Sequence, residues 1–422
     1  MKKGILGVLL SVFLVSSIFA GGAQESTQGE KVVTMFHNKV EIKDALDAYA
    51  ALYSENTDGV TVTVEALGGG GDYGSGMKAK AQSDQIPDIF VIEGMGGYEI
   101  WKDYIADLSD QPWVNDTDLE MIVDGKVIGF PVAIEGYGMA YNAGILDKAG
   151  IDPITLTTRD AYEEAFKTLE AKKDLLGIDA PVSMAASLSG GMWWVAAQHN
   201  LAVYWGGGLG FTDTSVIDMA LEGKMDEARF REYAKYLQLL YKYSDQAILV
   251  NGAYDDQVAA FAQGKTAFLH QGNWVDPNLG QLNADFEMGY APHAFTNTPQ
   301  EGLFLFAPSF YVVNKLSPNV EEAKKFLATM AGTPEGHSYM VNDASMIPAF
   351  NSVTLEPKGK LSQALMEANK KGGNYGVFFG MLPDGAGQNV FGPIYDLFAQ
   401  EQDNLEGFIA DMKVAIGNLP NM

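Results

Sequence analysis

The sequence predicts an α/β chain folded as two lobes, joined by two or three crossings. Three observations carry that reading. The first hundred ordered positions alternate strand, helix, strand, helix, strand, the pattern of a parallel sheet covered by helices. The chain has 422 residues, more than one ordinary core accommodates. And the stretch from Gly125 to Asn142, GKVIGFPVAIEGYGMAYN, sets a carboxylate between two short apolar runs among glycines and a proline. That composition suits a passage between two bodies better than a core strand.

In order along the chain, Lys2 and Lys3 precede an apolar run from Ile5 to Phe19, and Ala20 to Ala23 are small. This predicts a cleaved signal peptide over 1–23 and a polar linker over 24–30, hence export to the periplasm or beyond. With no cysteine in the sequence there is no lipid-anchoring site, no disulfide and no thiolate chemistry. Lys31 to Phe36 reads as the first strand, followed by His37-Asn38-Lys39 and a helix from about Val40 to Glu55. Val60 to Ala66 alternates strictly and is the second strand. A glycine-rich loop and a short helix over 77–85 lead to a buried strand, Pro87 to Ile92, ending in Glu93. In such sheets ligands gather at the carboxyl ends of strands, where Asn38, Lys39 and Glu93 fall. Val127 to Phe130 and Val132 to Ile134 read as two strands with Glu135 after them.

The second lobe opens with a helical pattern at Gly144. Amphipathic helices follow over 159–173 and 226–243, with a dense aromatic group at 184–205 between them. Met288 to Pro292 reads as a second crossing, Leu303 to Asn314 as one central strand, and 317–330 as a helix. The first lobe is therefore expected at 31–133 plus 291–335, and the second at 136–287 plus 338–422.

Five short motifs recur in one order. They are the first strand with His37-Asn38-Lys39, P-D-I-F at 87–90, the Gly125–Asn142 stretch, F-x-x-G-K-T-A running to G-N-W at Trp274, and the Glu321–Phe326 helix leading to T-P-E-G at 333–336. Together they resemble the extracytoplasmic sugar-binding proteins of ABC transporters, the maltose-binding-protein-like family. The resemblance spans nearly the whole chain after the signal peptide. It implies the two-lobed periplasmic-binding-protein type II fold, a sugar or oligosaccharide held between the lobes, and permease subunits as partners. In relatives the tryptophan at the Trp274 position stacks on a sugar ring. The acids at Glu135 and Glu93 correspond to side chains that bond hydroxyls. The sequence departs from the family at Asn38, where an acid is common, and in its very glycine-rich loop at 68–76.

The residue chemistry supports a carbohydrate independently. A sugar presents an apolar face and a rim of hydroxyls, and so calls for flat aromatic surfaces edged by carboxylates and amides. Trp193, Trp194, Trp205 and Trp274 all fall in the second lobe. Each residue also has an ordinary reading. Tryptophans in an aromatic run pack cores, Glu93 and Glu135 are common surface acids, and Lys39 can cap its helix. The candidate ligand residues are thus Asn38, Lys39, Glu93, Glu135, Trp193, Trp194 and Trp274, with no catalytic group, metal or cofactor expected.

A formal net charge of −26 argues against nucleic acid and anionic membranes as partners. Only three arginines are present, which favours an uncharged ligand over an anion, although a receptor for an anion on the same fold stays open. Two enzyme readings also stand. Gly69-x-Gly71-x-x-Gly74 with Glu93 downstream matches a dinucleotide-binding fingerprint. Paired carboxylates at a sugar site are equally the signature of a glycosidase. The five histidines show no metal-ligand spacing, and no serine sits in an esterase elbow. The expected form is a monomer.

Overall fold

The computed structural model describes residues 31–69 and 71–422. The predicted signal peptide and linker lie outside the described residues. The chain opens with β1 (Lys31–His37), α1 (Lys43–Glu55), β2 (Val60–Ala66), α2 (Tyr73–Gln82), β3 (Ile89–Glu93) and α3 (Gly94–Trp101). It continues with β4 (Met121–Val123), β5 (Lys126–Pro131), β6 (Glu135–Tyr137), β7 (Met139–Asn142), β8 (Ala180–Ser183), β9 (Thr266–Leu269) and β10 (Met288–Ala291). The last strands are β11 (Phe304–Phe306), β12 (Ser309–Val313) and β13 (Tyr375–Gly376).

One sheet has the order β2-β1-β3-β12-β5-β4 and forms the first lobe. β1 runs parallel to β2 and β3, as the strand-helix alternation requires, while β12 is antiparallel to β3 and β5. The period-2 alternation of β3 and β12 explains why both faces of this sheet are dry. Ile89, Val91, Tyr311 and Val313 point to a layer with Leu46 and Tyr49 of α1. Phe90, Ile92, Phe310 and Val312 point to the opposite layer, with Trp101 of α3. β4 and β5 form a hairpin whose two turn residues, Asp124 and Gly125, both have positive φ (51° and 75°), the dipeptide such a turn favours.

The second lobe is built on β10-β7-β9-β8 and on a large aromatic core that includes Trp205, Tyr204, Tyr233 and Tyr395. Trp205 is wholly buried there, so its ordinary reading as a packing residue holds. Between the lobes β6, β11 and β13 form a small third sheet.

Several expectations need correction. Val132 to Ile134 is not a strand; the strand begins at Glu135, which therefore sits inside the small inter-lobe sheet. Met288–Pro292 is not a crossing, because β10 pairs antiparallel with β7 inside the second lobe. The crossing comes instead within the apolar run 303–314, which is two strands and not one. Pro308 has no N–H to donate, and around it the chain leaves β11 for β12 in the other lobe. Consequently Ala294, Phe295 and Phe304, expected in the first lobe, pack in the second. Conversely Tyr339, Met340, Val341 and Phe350, expected in the second, pack against the first-lobe sheet before the chain crosses a third time. The first and third passages touch, Ile134 N–H donating to the Ile347 carbonyl at 2.9 Å. Hydrophobic periodicity finds elements but is blind to which core an apolar segment joins.

Candidate functional site

The first-lobe wall is made where β1 and β3 end. Glu93 is the last residue of β3 and precedes α3, the turn being made by Gly94 at φ +58°. Asn38 follows β1, and its Nδ2 donates to Glu93 Oε1 at 2.7 Å. Lys39 forms an ion pair with Glu135 of β6, and both are nearly sealed from solvent, at 9% and 7% exposure. Burial works against the Lys39 charge, but Glu135, Glu41 and Glu93 outweigh it and hold the ammonium above its ordinary pKa. Burial likewise pushes the Glu93 carboxyl up; the Lys39 charge and the Asn38 bond pull the other way. Burial raises Glu41, which also lines the cleft, to about 7 against the pull of Lys39.

The glycine-rich loop has a steric origin. A Cβ on Gly68 would stand 1.9 Å from the Asn38 carbonyl oxygen, so only glycine lets the two loops touch. The N-terminus of α2 is already occupied, since Asp72 caps it by accepting from Ser75 N–H at 2.9 Å. A carboxylate thus fills the place a pyrophosphate would need, which removes the physical basis of the dinucleotide reading. The helix itself starts at Tyr73, not at 77.

The second-lobe wall is aromatic. Trp274 lies in a 3₁₀ turn after β9, oriented by its Nε1–H donating to Gln271 Oε1 at 2.8 Å. The next residue back, Asn273, accepts from Gly136 N–H at 2.9 Å, which ties this turn to the hinge strand. Trp194 stands 6.4 Å from Trp274 between ring centroids and 5.9 Å from Tyr254. Trp193 rests on Gly387, whose absent side chain makes room for its ring, and its Cβ abuts Gly392. His199 sits 4.9 Å from Trp274, on a π-helical turn at 195–200. Such turns are frequent at functional sites.

The two walls enclose a cleft of about 310 Å³. All seven sequence-predicted residues, Asn38, Lys39, Glu93, Glu135, Trp193, Trp194 and Trp274, line it. So do His199, Tyr254 and Phe379, which sequence reasoning did not single out. Nothing local marks them, since each is one aromatic among many, although the π turn at His199 disturbs the helical spacing there. Across the mouth Lys78 Nζ meets Asp384 Oδ2 at 3.0 Å, and Gln388 Nε2 donates to Asp72 Oδ2 at 3.3 Å. Gly94 and Gly96 of α3 abut the backbone of Gly380 and Leu382 so closely that a Cβ on either would clash. Among the described residues no group of acids and histidines is arranged to hold a metal, and no helix is long and apolar enough to cross a membrane.

Comparison with known proteins places the chain. A family model for bacterial extracellular solute-binding proteins matches residues 48–370. The melibiose/raffinose/stachyose-binding protein MelE of Bacillus subtilis is 26% identical over 329 residues, covering 74% of this chain and 72% of that protein. The multiple sugar-binding protein of Streptococcus mutans is 21% identical over 358 residues, 82% of each. A sugar transporter protein from Bacillus licheniformis, solved with stachyose, superposes with a TM-score of 0.74 at 22% identity, over 92% of this chain and 100% of that one. At that identity the superposition establishes the two-lobed fold.

Proposed function

The chain belongs to the bacterial extracellular solute-binding proteins, and on that premise we propose that it captures a neutral oligosaccharide between its lobes and delivers it to an ABC-transporter permease. One observation carries the reading: a cleft with a wall of rings facing a wall of oriented carboxylates and an amide. Rings offer area to the apolar face of a sugar, and the carboxylates accept from its hydroxyls. Hydrogen bonds to charged groups contribute about 1.5–3 kcal/mol each. Two or three of them with two stacked rings reach the roughly 8 kcal/mol of micromolar binding. The names of the relatives, binders of melibiose, raffinose and stachyose, point the same way. No arginine is among the described residues lining the cleft, which favours an uncharged ligand over an anion.

Glu93 and Glu135 act as acceptors rather than as a glycosidase pair. Each already has a fixed partner, Asn38 and Lys39 respectively, and Glu135 belongs to a strand at the moving boundary between lobes. Catalysis on a glycosidic bond needs two carboxyls at a set separation, which a hinge does not keep. The protein works as an exported monomer, closing at three crossings as the lobes pivot.

Calorimetric titration with melibiose, raffinose, stachyose and maltotriose tests this. One neutral saccharide bound per chain and recovered intact after a day is the expected result. Absence of binding to all four removes the sugar reading. Hydrolysis products that disappear in Glu93→Gln or Glu135→Gln would make the protein an enzyme.

A further inference from the structure

The aromatic wall contains one side chain whose polarity its surroundings do not use. His199 lines the cleft, yet neither ring nitrogen has a hydrogen-bond partner in the protein; only its backbone carbonyl is engaged, accepting from the Tyr137 hydroxyl at 2.9 Å. The imidazole is held from several sides. Tyr137 stacks on it at 5.4 Å and 23°, Phe379 lies tilted at 5.4 Å, and Trp194 meets it edge-on at 5.3 Å. These rings give its nitrogens no hydrogen-bond partner, which leaves a ligand in the cleft to supply one.

Position adds to this. The imidazole is 4.9 Å from Trp274, tilted at 51° to the indole. A sugar ring lying on Trp274 would bring hydroxyls within reach of that imidazole. Desolvation by burial, aided by His270 and Lys39, holds His199 well below its usual pKa, so the ring is neutral. A neutral imidazole offers one N–H donor and one acceptor nitrogen, and whichever of the two faces the cleft can pair with a sugar hydroxyl, which both donates and accepts.

We propose that His199 is a ligand-reading residue of the aromatic wall, one imidazole nitrogen bonding a hydroxyl of the sugar ring that stacks on Trp274. The assignment rests on the sugar-binding reading and adds to it the side chain that distinguishes hydroxyl arrangements. The alternative is a purely packing role, in which a phenyl ring serves equally well.

His199→Phe keeps the ring and its aromatic neighbours and removes both polar atoms. Calorimetry with melibiose, raffinose, stachyose and maltotriose is expected to show affinity at least about tenfold lower for whichever of them the wild type binds most tightly. The unfolding midpoint of the empty variant should match the wild type. His199→Gln, which retains a donor and an acceptor, should recover part of the loss. Independently of any variant, the imidazole nitrogen resonances of His199 in the ¹⁵N-labelled wild type should shift on saturation with that sugar. Wild-type affinity in His199→Phe, or nitrogen resonances unmoved by saturating sugar, overturns the assignment while leaving sugar binding intact. Failure of the wild type to bind any of the four saccharides, by contrast, removes the sugar reading and this assignment with it.

Discussion

The two walls of the cleft meet the same task with opposite chemistry. The first-lobe wall is a network of charges: Lys39 against Glu135, Asn38 against Glu93, with Glu41 nearby. The second-lobe wall is a set of rings in mutual contact, Trp194, His199, Tyr254 and Trp274. Rings pack without losing their function, because a face freed of solvent is still a face. Buried charges do not, since each must be neutralised by a partner before a ligand arrives. The polar wall is thus held in place by electrostatics and the apolar wall by packing, and substitutions should fail differently on each side.

The largest difference should come from breaking the polar wall. Lys39→Met leaves Glu135 buried and unpaired, a loss of about 3–5 kcal/mol of stability, read as a lower urea midpoint. Replacing both, Lys39→Met with Glu135→Leu, should restore most of that stability and none of the sugar affinity. A single variant as stable as the wild type would show the pair to be unimportant to the fold.

On the aromatic side the expected loss is mainly functional. Trp274→Ala should weaken sugar binding by at least about tenfold. Because the ring also packs between the two second-lobe clusters, the empty protein should lose about 1–3 kcal/mol as well. Trp274→Phe, restoring a smaller ring, should regain the stability before the affinity. Unchanged affinity in Trp274→Ala would make it a core residue only.

The histidines beneath the walls extend the contrast. His37, under the polar wall, is fully buried with no partner for either nitrogen. Burial, then Lys39 and Lys43, drive its pKa to about 3. In the second lobe His270 Nδ1 and His293 Nε2 lie 3.1 Å apart, and His293 Nδ1 meets the Tyr236 hydroxyl at 2.9 Å. Burial lowers His270 to about 4 and holds His293 well below its ordinary value. These groups stay neutral when folded but take up a proton when unfolded. Their stabilising contribution is complete above pH ~6.5 and falls as the pH drops from there toward the folded values. Glu41, raised to about 7, acts in the opposite sense, its contribution being present at low pH and lost as pH rises from about 4.5 to 7. His37→Phe should therefore cost little at pH 7 and lose about 2 kcal/mol less than the wild type between pH 7 and 5. His270→Phe, which takes away the imidazole partner of His293 Nε2, should cost about 1–3 kcal/mol already at pH 7. Denaturation curves at both pH values decide each case.

The smallest effect belongs to the mouth. Lys78 and Asp384 are each about half exposed, at 53% and 48% of their side chains. Asp384→Asn should change affinity by no more than about 1 kcal/mol, mostly through faster release. Affinity of the wild type should itself be nearly flat between low and physiological salt, since an uncharged ligand has little to screen. A steep salt dependence would restore the anion-receptor reading.

Much of this molecule was determined by the sequence alone, and for local reasons. Strict alternation in Val60–Ala66 and the apolar run before Glu93 located strands because side-chain period is a property of the backbone. Their carboxyl ends then located Asn38, Lys39 and Glu93. What the tertiary structure alone decided was allegiance and pairing. The segments at 291–306 and 339–353 are apolar enough for either core, and only packing assigned them to the lobe opposite the expected one. Lys39 and Glu135 stand 96 positions apart, and nothing in either neighbourhood specifies the ion pair. His199 is one histidine among five until the chain brings Trp274 and Tyr137 around it. Periodicity acts over a few residues, whereas charge pairing and ring contact act through space, and the fold is what converts one into the other.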